Sequence, residues 1–434
     1  MAARIFEQAH TETGVRARPS MFRALRHRNF RLFFSGQLIS LSGTWMQTLA
    51  QSWLVYRLTQ SPALLGAVSF ASQVPVLFLS PWAGIVADRH SRHRMVIITQ
   101  SAMMVQALVL AALTLTGRIT VWQIFVLSAF QGVCIAFDMP ARQAFLIEMV
   151  GGEDLMNAIA LNSSMFNSAR MIGPAVAGVL VAALGEGMCF LINGISYLAV
   201  IAGLLLMRLI PWRPDGRKPG KLDQLKEGVA YVLKNDAIRS LLGLLGAVSL
   251  LGMPYAVLMP IFAEDILRSG PRGMGGLMSA AAAGALAGAL WLARRRSVLG
   301  LDRVVVRACA LFGVALTLFS VTRVYWLAVA CLVPAGFGIM VQMGSTNSLV
   351  QSLVDNRMRG RVMGLYATMF LGVAPFGSLL AGFVAERAGA PATVALGGLA
   401  CIAGAGALAV RIPRMRIDAL LAGASPSGLG GKVP

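Results

Sequence analysis

An all-α integral membrane protein, with twelve transmembrane helices in two pseudo-symmetric six-helix bundles, is the fold this sequence predicts. Three observations predict it. The composition is 57% hydrophobic and only 13% charged, with a mean hydropathy of +0.70. Apolar stretches of about 20 residues, each long enough to cross a hydrocarbon core roughly 30 Å thick, recur twelve times. The two halves of the chain also match each other at a single offset. A soluble domain could not hide this much apolar side chain from water.

Taken in order, residues 1–28 are polar and basic and lack an apolar run ending in a small-residue cleavage site, so they read as a cytoplasmic tail and not a removed signal. The first bundle, 29–210, holds spans at 31–56, 63–87, 95–116, 120–137, 156–184 and 187–208. The stretch "RPDGRKPGKLDQLKEGVAYVLKND" then supplies a linker, 211–237. Its Leu222, Leu225, Val229 and Val232 recur at helical spacing, which predicts a helix lying on the inner leaflet. The second bundle, 238–412, holds spans at 239–265, 273–293, 303–322, 324–348, 361–386 and 391–411, and 413–434 is a second tail.

A net charge of +20 could point to nucleic acid, but the basic residues are sorted by side of the membrane. Of the 38 Lys and Arg, only Arg57, Arg118, Arg268, Arg272, Arg323 and Arg387 fall on the far side, and only Arg170 falls inside a span. The positive-inside rule therefore places both termini in the cytoplasm, as an even number of spans requires. The charge is a topology signal, and no nucleic-acid partner is expected. Cys134, Cys189, Cys309, Cys331 and Cys401 all lie in spans without metal-ligand spacing, so neither a metal nor a cofactor is expected. His10, His27, His90 and His93 are all cytoplasmic, which excludes a histidine relay within the membrane. No nucleophile–base set or nucleotide loop is present, so an enzyme is not expected.

The internal match runs at an ungapped offset of 204 residues. It pairs Val150/Val354, Leu161/Leu365, Met165/Met369, Phe166/Phe370, Gly173/Gly377, Ala177/Ala381, Gly178/Gly382 and Gly185/Gly389, and it pairs Gly84 with Gly288. Duplication of six spans in one orientation implies two bundles about an axis along the membrane normal, with a site between them near the midplane. Such an architecture works by alternating access.

The loop "GIVADRHSRHR" carries Gly84, Asp88, Arg89, Arg92 and Arg94 at the spacing of a known signature. It resembles the loop between the second and third spans of the major facilitator superfamily, with Ser91 in place of the usual second glycine. Asp88 is suited to accept hydrogen bonds at a helix N-terminus, and the expected partner is the start of the eleventh span at Arg359, Gly360 and Arg361. This contact would be a gating latch; the alternative is a basic loop that only fixes topology. The fifth span, "FNSARMIGPAVAG", resembles the glycine motif of antiporters in this superfamily through Gly173, Pro174 and Gly178, with alanine at Ala160, Ala169 and Ala177 where glycine is usual. Both a packing seam and a coupling role fit it. The wider pattern, "FRLFFSGQLISLSGTWMQTLAQSWLVYRLTQSP", "AFDMPARQAFLIEMV", "ALNSSMFNSARMIGP" and "MRGRVMGLY", resembles a subgroup of bacterial exporters that carry siderophores or drugs. That resemblance implies proton-coupled export across the bacterial inner membrane by a monomer. A lysophospholipid flippase of the same fold is the alternative, followed by a non-transporting receptor.

At 100° per residue, Gln37, Ser40, Thr44, Gln47 and Gln51 share an arc of about 80° on the first span. Gln131 on the fourth span, and Asn167 with Arg170 on the fifth, extend this into an expected hydrated substrate cavity, with Tyr255, Gln342 and Asn347 on the opposite wall. Helix-to-helix hydrogen bonding is the competing account of each amide. A lone arginine at the centre of a span costs on the order of 3 kcal/mol or more, so Arg170 needs a partner or water. Its repeat position is Ala374, so the duplicated scaffold does not need the charge twice. Its planar fork suits acidic or catecholate-like oxygens, which suggests a bulky anion as substrate. For proton coupling the candidates are Asp138, Glu264 and Asp265; Asp138 also reads as a cap for the helix "PARQAFLIEMV".

Overall fold

The computed structural model describes residues 22–208, 222–295 and 297–415, so most of both expected tails, the Pro/Gly part of the linker and Arg296 lie outside the described residues. Each expected span has a helix. We label them α1 (Arg28–Thr59), α2 (Pro62–Arg89), α3 (Arg92–Leu115), α4 and α5 (together Val121–Leu184), α6 (Glu186–Leu205), the linker helix α7 (Leu222–Lys234), α8 (Asp236–Ile266), α9 (Gly270–Ala293), α10 (Leu301–Val321), α11 (Tyr325–Leu353), α12 (Arg359–Ala388) and α13 (Ala390–Met415). Among the described residues, ten helices are long and apolar enough to cross a membrane. One of these, Val121–Leu184, is broken at Gly151, whose φ of 71° is open to glycine, and this divides it into α4 (121–150) and α5 (152–184). The 32-residue α1 is long enough to cross, but its row of Gln, Ser and Thr lowers its hydropathy. Twelve helices of crossing length result.

Helix starts follow local chemistry. Ser61, Ser91 and Asn235 each accept a hydrogen bond from a backbone N–H three residues on, Pro62 occupies the first turn of α2, and Thr120 and Gln123 form a capping box. Two helices depart from regularity. In α8 the backbone widens into π-helical turns at Val248–Gly252 and Phe262–Ile266 on either side of Pro254 and Pro260, and in α12 it does so at Thr368–Gly372, just before Pro375.

One expectation needs correction here. Helix α4 runs unbroken through Pro140 to residue 150, so Asp138 is an interior residue and does not cap a separate "PARQAFLIEMV" helix. Pro140 is tolerated because neighbouring groups satisfy the freed carbonyls of a membrane helix.

Asn29 exchanges hydrogen bonds with the backbone of Arg208, so α1 begins where α6 ends, and we call this side the terminal face. Exposed Trp122 and Trp326 near the far face, and Trp82 and Trp291 near the terminal face, mark two aromatic belts suited to headgroup level. The bundles touch mainly through two antiparallel helix pairs, α2 with α12 and α5 with α9, with a smaller contact between α1 and α8. Contact is closest toward the far face, where Gly66 meets Gly382 and Gly178 meets Gly275 at backbone distance, and the ring of Phe70 lies edge-on to Phe376 at 5.6 Å. Every hydrogen bond between the bundles among the described residues lies from the midplane toward the far face: Tyr56 to Asp265, Ser61 and Ala63 to Glu386, and Ser279 to the carbonyl of Met171. The far face is closed, and at the terminal face the bundles are not tied.

Candidate functional site

A cavity of about 450 Å³ lies between the bundles beneath the closed far face. Helices α1, α2, α4 and α5 give it a polar wall that includes Thr48, Gln51, Ser52, Gln73, Gln131 and Arg170. Helices α8 and α9 give it Tyr255 and four methionines, Met253, Met259, Met274 and Met278, an apolar wall that can adapt its shape. Among the described residues no carboxylate lines it.

The repeat offset reappears in this lining. Gln51 and Tyr255, Ser52 and Ala256, Val55 and Met259, and Arg170 and Ala374 are related positions, and both members of each pair face the cavity. The bundle relation is therefore a relation between two walls of one site, and the charge is on one wall only.

Arg170 is half-buried, its guanidinium carbon 5.6 Å from the ring centre of Trp45. Trp45 in turn meets Phe166 edge-on at 5.7 Å, so a short aromatic ledge supports the cation. Among the described residues Arg170 has no ion-pair partner. No hydrogen bond joins Arg170 to Asn167 among the described residues, and the Asn167 amide donates to the Ser163 carbonyl of its own helix at 2.9 Å.

Several expected cavity residues lie elsewhere. Gln47 is buried inside the first bundle, donating to Gln106 at 3.0 Å and accepting from Asn193 at 2.7 Å. Gln342 is likewise buried and reaches only Thr346 of its own helix. Asn347 accepts from Gln351 one turn along, and neither it nor Asn167 lines the cavity. Of the polar stripe on α1, Gln47 fastens three helices together and Thr44 lies 3.4 Å from the Tyr197 hydroxyl of α6, while Gln51 lines the cavity and also donates to Ser128 at 2.8 Å. The cavity side of α1 is the adjoining arc of Val55, Thr48, Ser52 and Trp45, about 80° wide. Trp45 was missed because an aromatic in a span reads as packing until its neighbour on another helix is known. Asn193→Ala should cut the three-residue chain of amides and cost about 1 kcal/mol of stability, read as a lower melting temperature in detergent with unchanged substrate preference. An altered preference would instead place the chain at the substrate.

The gating residues surround an open gap. Asp88 is exposed and pairs with Arg92 at 3.8 Å, its one ion pair among the described residues, while Arg92 is held by Glu148 of α4 at 2.8 Å. Arg89, Arg94 and Arg359 are exposed, and a Cβ added at Gly84 or Gly360 would meet nothing among the described residues within 4 Å. Arg361 is paired with Glu227 of the linker helix, which also contacts the α11–α12 turn through Tyr231 and Asp355. The expected contact between Asp88 and the start of α12 is not made in this conformation. In the glycine seam, Gly173 faces Trp45 and the Ser42 carbonyl within the first bundle, and Gly178 faces Pro271 and Gly275 of the second. The Pro174 carbonyl abuts Gly275.

Of the acidic candidates, Asp138 is buried within the first bundle, accepting from Thr99 at 2.9 Å and Gln100 at 3.0 Å and pairing with Arg142 at 3.3 Å. Asp265 accepts from Tyr56 across the bundle interface, with Glu264 exposed beside it.

Two bundles with a repeat-related cavity between them, sealed at one face and untied at the other, define a membrane transporter of the major facilitator fold. The chain belongs to the family of transmembrane secretion effectors, which it matches over residues 19–425. It is 26% identical to the staphyloferrin A transporter of Staphylococcus aureus over 86% of this chain and 93% of that one. Identity to the multidrug efflux pump Tap of Mycolicibacterium fortuitum is also 26%, over 89% of this chain and 96% of that one. In fold it is similar to the crystal structure of the nucleoside transporter NupG, with a TM-score of 0.69 at 16% identity over 89% of this chain and 98% of that one. The protein is a multi-pass bacterial efflux transporter.

Proposed function

We propose that this transporter exports a bulky amphipathic anion, of the siderophore or acidic-drug kind, from the cytoplasm through the cavity between its 29–210 and 238–412 bundles. The observation that carries this reading is Arg170, a cation without a counter-charge among the described residues, seated on Trp45 opposite a methionine wall. The guanidinium suits a planar oxygen pair, and the methionines suit an apolar body of variable shape. That the relatives include a siderophore transporter and a multidrug pump fits such a mixed site. Gradient-driven transport of an anionic catecholate, a cationic dye and a lysolipid, compared in reconstituted vesicles, tests it. Selective movement of the anion is expected, and movement of the lysolipid alone would replace this reading with a flippase.

The clustering of basic residues on the terminal face supports cytoplasmic termini in the inner membrane. The described conformation is then open to the cytoplasm, ready to load cargo. Protons are the proposed coupling ion and the working unit is a monomer. Among the three carboxylate candidates we favour Asp265, because its proton would act on a bond between bundles, whereas Asp138 braces one bundle internally.

The Asp88 latch belongs to the opposite state. Gly66 lies opposite Gly382, Phe70 opposite Phe376, and Leu77 opposite Gly372, so eleven residues along α2 are matched by ten back along α12. The same register carried to the terminal face sets Asp88 opposite the first turn of α12. Asp88→Asn should then favour the inward-open state and slow export several-fold, with cytoplasmic-face cysteine labelling increased. Unchanged labelling would reduce the loop to a topology signal.

A further inference from the structure

We infer that Glu386 is the far-face latch of this exporter, capping the N-terminus of α2 from the other bundle when the far face is closed. The first turn of a helix leaves backbone N–H groups without partners. In α2, Leu64 N–H is satisfied by the hydroxyl of Ser61, while Ala63 N–H donates to the Glu386 carboxylate at 3.0 Å and the Ser61 hydroxyl donates to the same oxygen at 2.9 Å. A carboxylate so placed is favoured both by charge-assisted hydrogen bonds and by the helix dipole. Glu386 stands in the last turn of α12, exposed and without an ion pair among the described residues, so these bonds to α2 are its polar contacts.

The α2–α12 pair carries the mirror arrangement at its other end. Asp88 stands in the last turn of α2, in register with the first turn of α12, whose N-cap position, Met358, supplies no side-chain cap. Each helix thus presents a carboxylate near its C-terminus toward the N-terminus of the other. In this structure the far-face cap is made and the terminal-face cap is not. Rocking of the bundles about a central cavity exchanges one for the other, so Glu386 and Asp88 set the inward–outward balance with opposite signs. The Glu386 role rests on the contact described here, and its alternation with Asp88 rests on the latch proposed above.

The experiment uses the full-length transporter in lipid nanodiscs with spin-label pairs on exposed sites. Leu184 and Val324 report the far face, and Met156 and Leu299 report the terminal face. Glu386→Ala should shift the population toward a long far-face distance by about tenfold, the loss expected for hydrogen bonds to a charged acceptor. Glu386→Gln keeps the size of the side chain and serves as the readout if the alanine variant does not fold; it should shift the balance less, in the same direction. Asp88→Asn should shift it the opposite way, and the double variant should return toward the parent ratio, which general damage to folding would not do. An unchanged far-face distribution in the Glu386 variants overturns the latch, whatever Asp88→Asn does. A shift in those variants with none in Asp88→Asn supports the Glu386 latch and overturns its alternation with Asp88.

Discussion

Arg170→Ala should reduce anion export about 30-fold or more in kcat/KM while protein level and melting temperature stay near those of the parent. Truncating one member of a buried, hydrogen-bonded charge pair costs about 2–5 kcal/mol, and the lower end applies because Arg170 is half-buried and water can reach it. Among the described residues the cavity lining holds no carboxylate that could take over or mask the effect. Arg170→Lys keeps the charge but loses the two-pronged fork and much of the stacking on Trp45, so it should recover only part of the activity. Trp45→Ala should lower anion transport less than removing the cation, since it takes away the ledge and leaves the charge. The informative comparison is between substrates: a cationic dye should be carried as well or better by Arg170→Ala, because a repelling charge has gone. Equal effects on anion and dye would show that Arg170 fastens helices and does not meet cargo.

How far the site was legible depends on which physical constraint spoke. The long apolar helices follow from the bilayer, which forces every backbone group of a span into a helix. The repeat offset went further, since Gln51/Tyr255 and Arg170/Ala374 do meet on one cavity. The facing of individual amides was not legible. A glutamine in a membrane helix is satisfied equally by water or by another amide, so Gln47 and Gln342 could be resolved only once Asn193, Gln106 and Thr346 were placed. The cavity arc of α1 adjoins the polar stripe, and a rotation of that size is invisible to periodicity alone. Asp138 failed for a related reason: capping is a local signal, and the helix through Pro140 is held by contacts the local sequence does not contain. The loop around Asp88 was legible as a motif, but the conformation was not, because a motif proposed for a two-state contact does not say which state is populated.

The glycine seam gives the second large effect, and it separates residues that the sequence pattern groups together. A Cβ at Gly178 would stand 2.6 Å from the Pro271 carbonyl oxygen and 3.1 Å from the Gly275 Cα, and at Gly66 it would stand 2.5 Å from the Ser378 carbonyl oxygen. These obstacles are backbone of the opposite bundle and cannot swing aside as a flexible side chain would. The helices must part, but only in the state in which they are closed together. Gly178→Val and Gly66→Val should therefore destabilise the far-closed state selectively. The inward–outward ratio should move by tenfold or more, because overpacking of this kind costs about 1–3 kcal/mol, and turnover should fall because the cycle needs both states. A cysteine at Thr48, inside the cavity, should become reactive to an impermeant maleimide added at the far face. Gly173→Ala belongs to the same sequence motif but meets Trp45 and the Ser42 carbonyl within its own bundle. It should lower stability and disturb the ledge under Arg170 in both states, without opening the far face. Gly84→Ala and Gly360→Ala, which meet nothing here, should be silent in this state and penalise only the opposite one. If Gly178→Val and Gly173→Ala gave the same labelling pattern, the seam would be uniform packing and the division between state-setting and fold-holding glycines would fall.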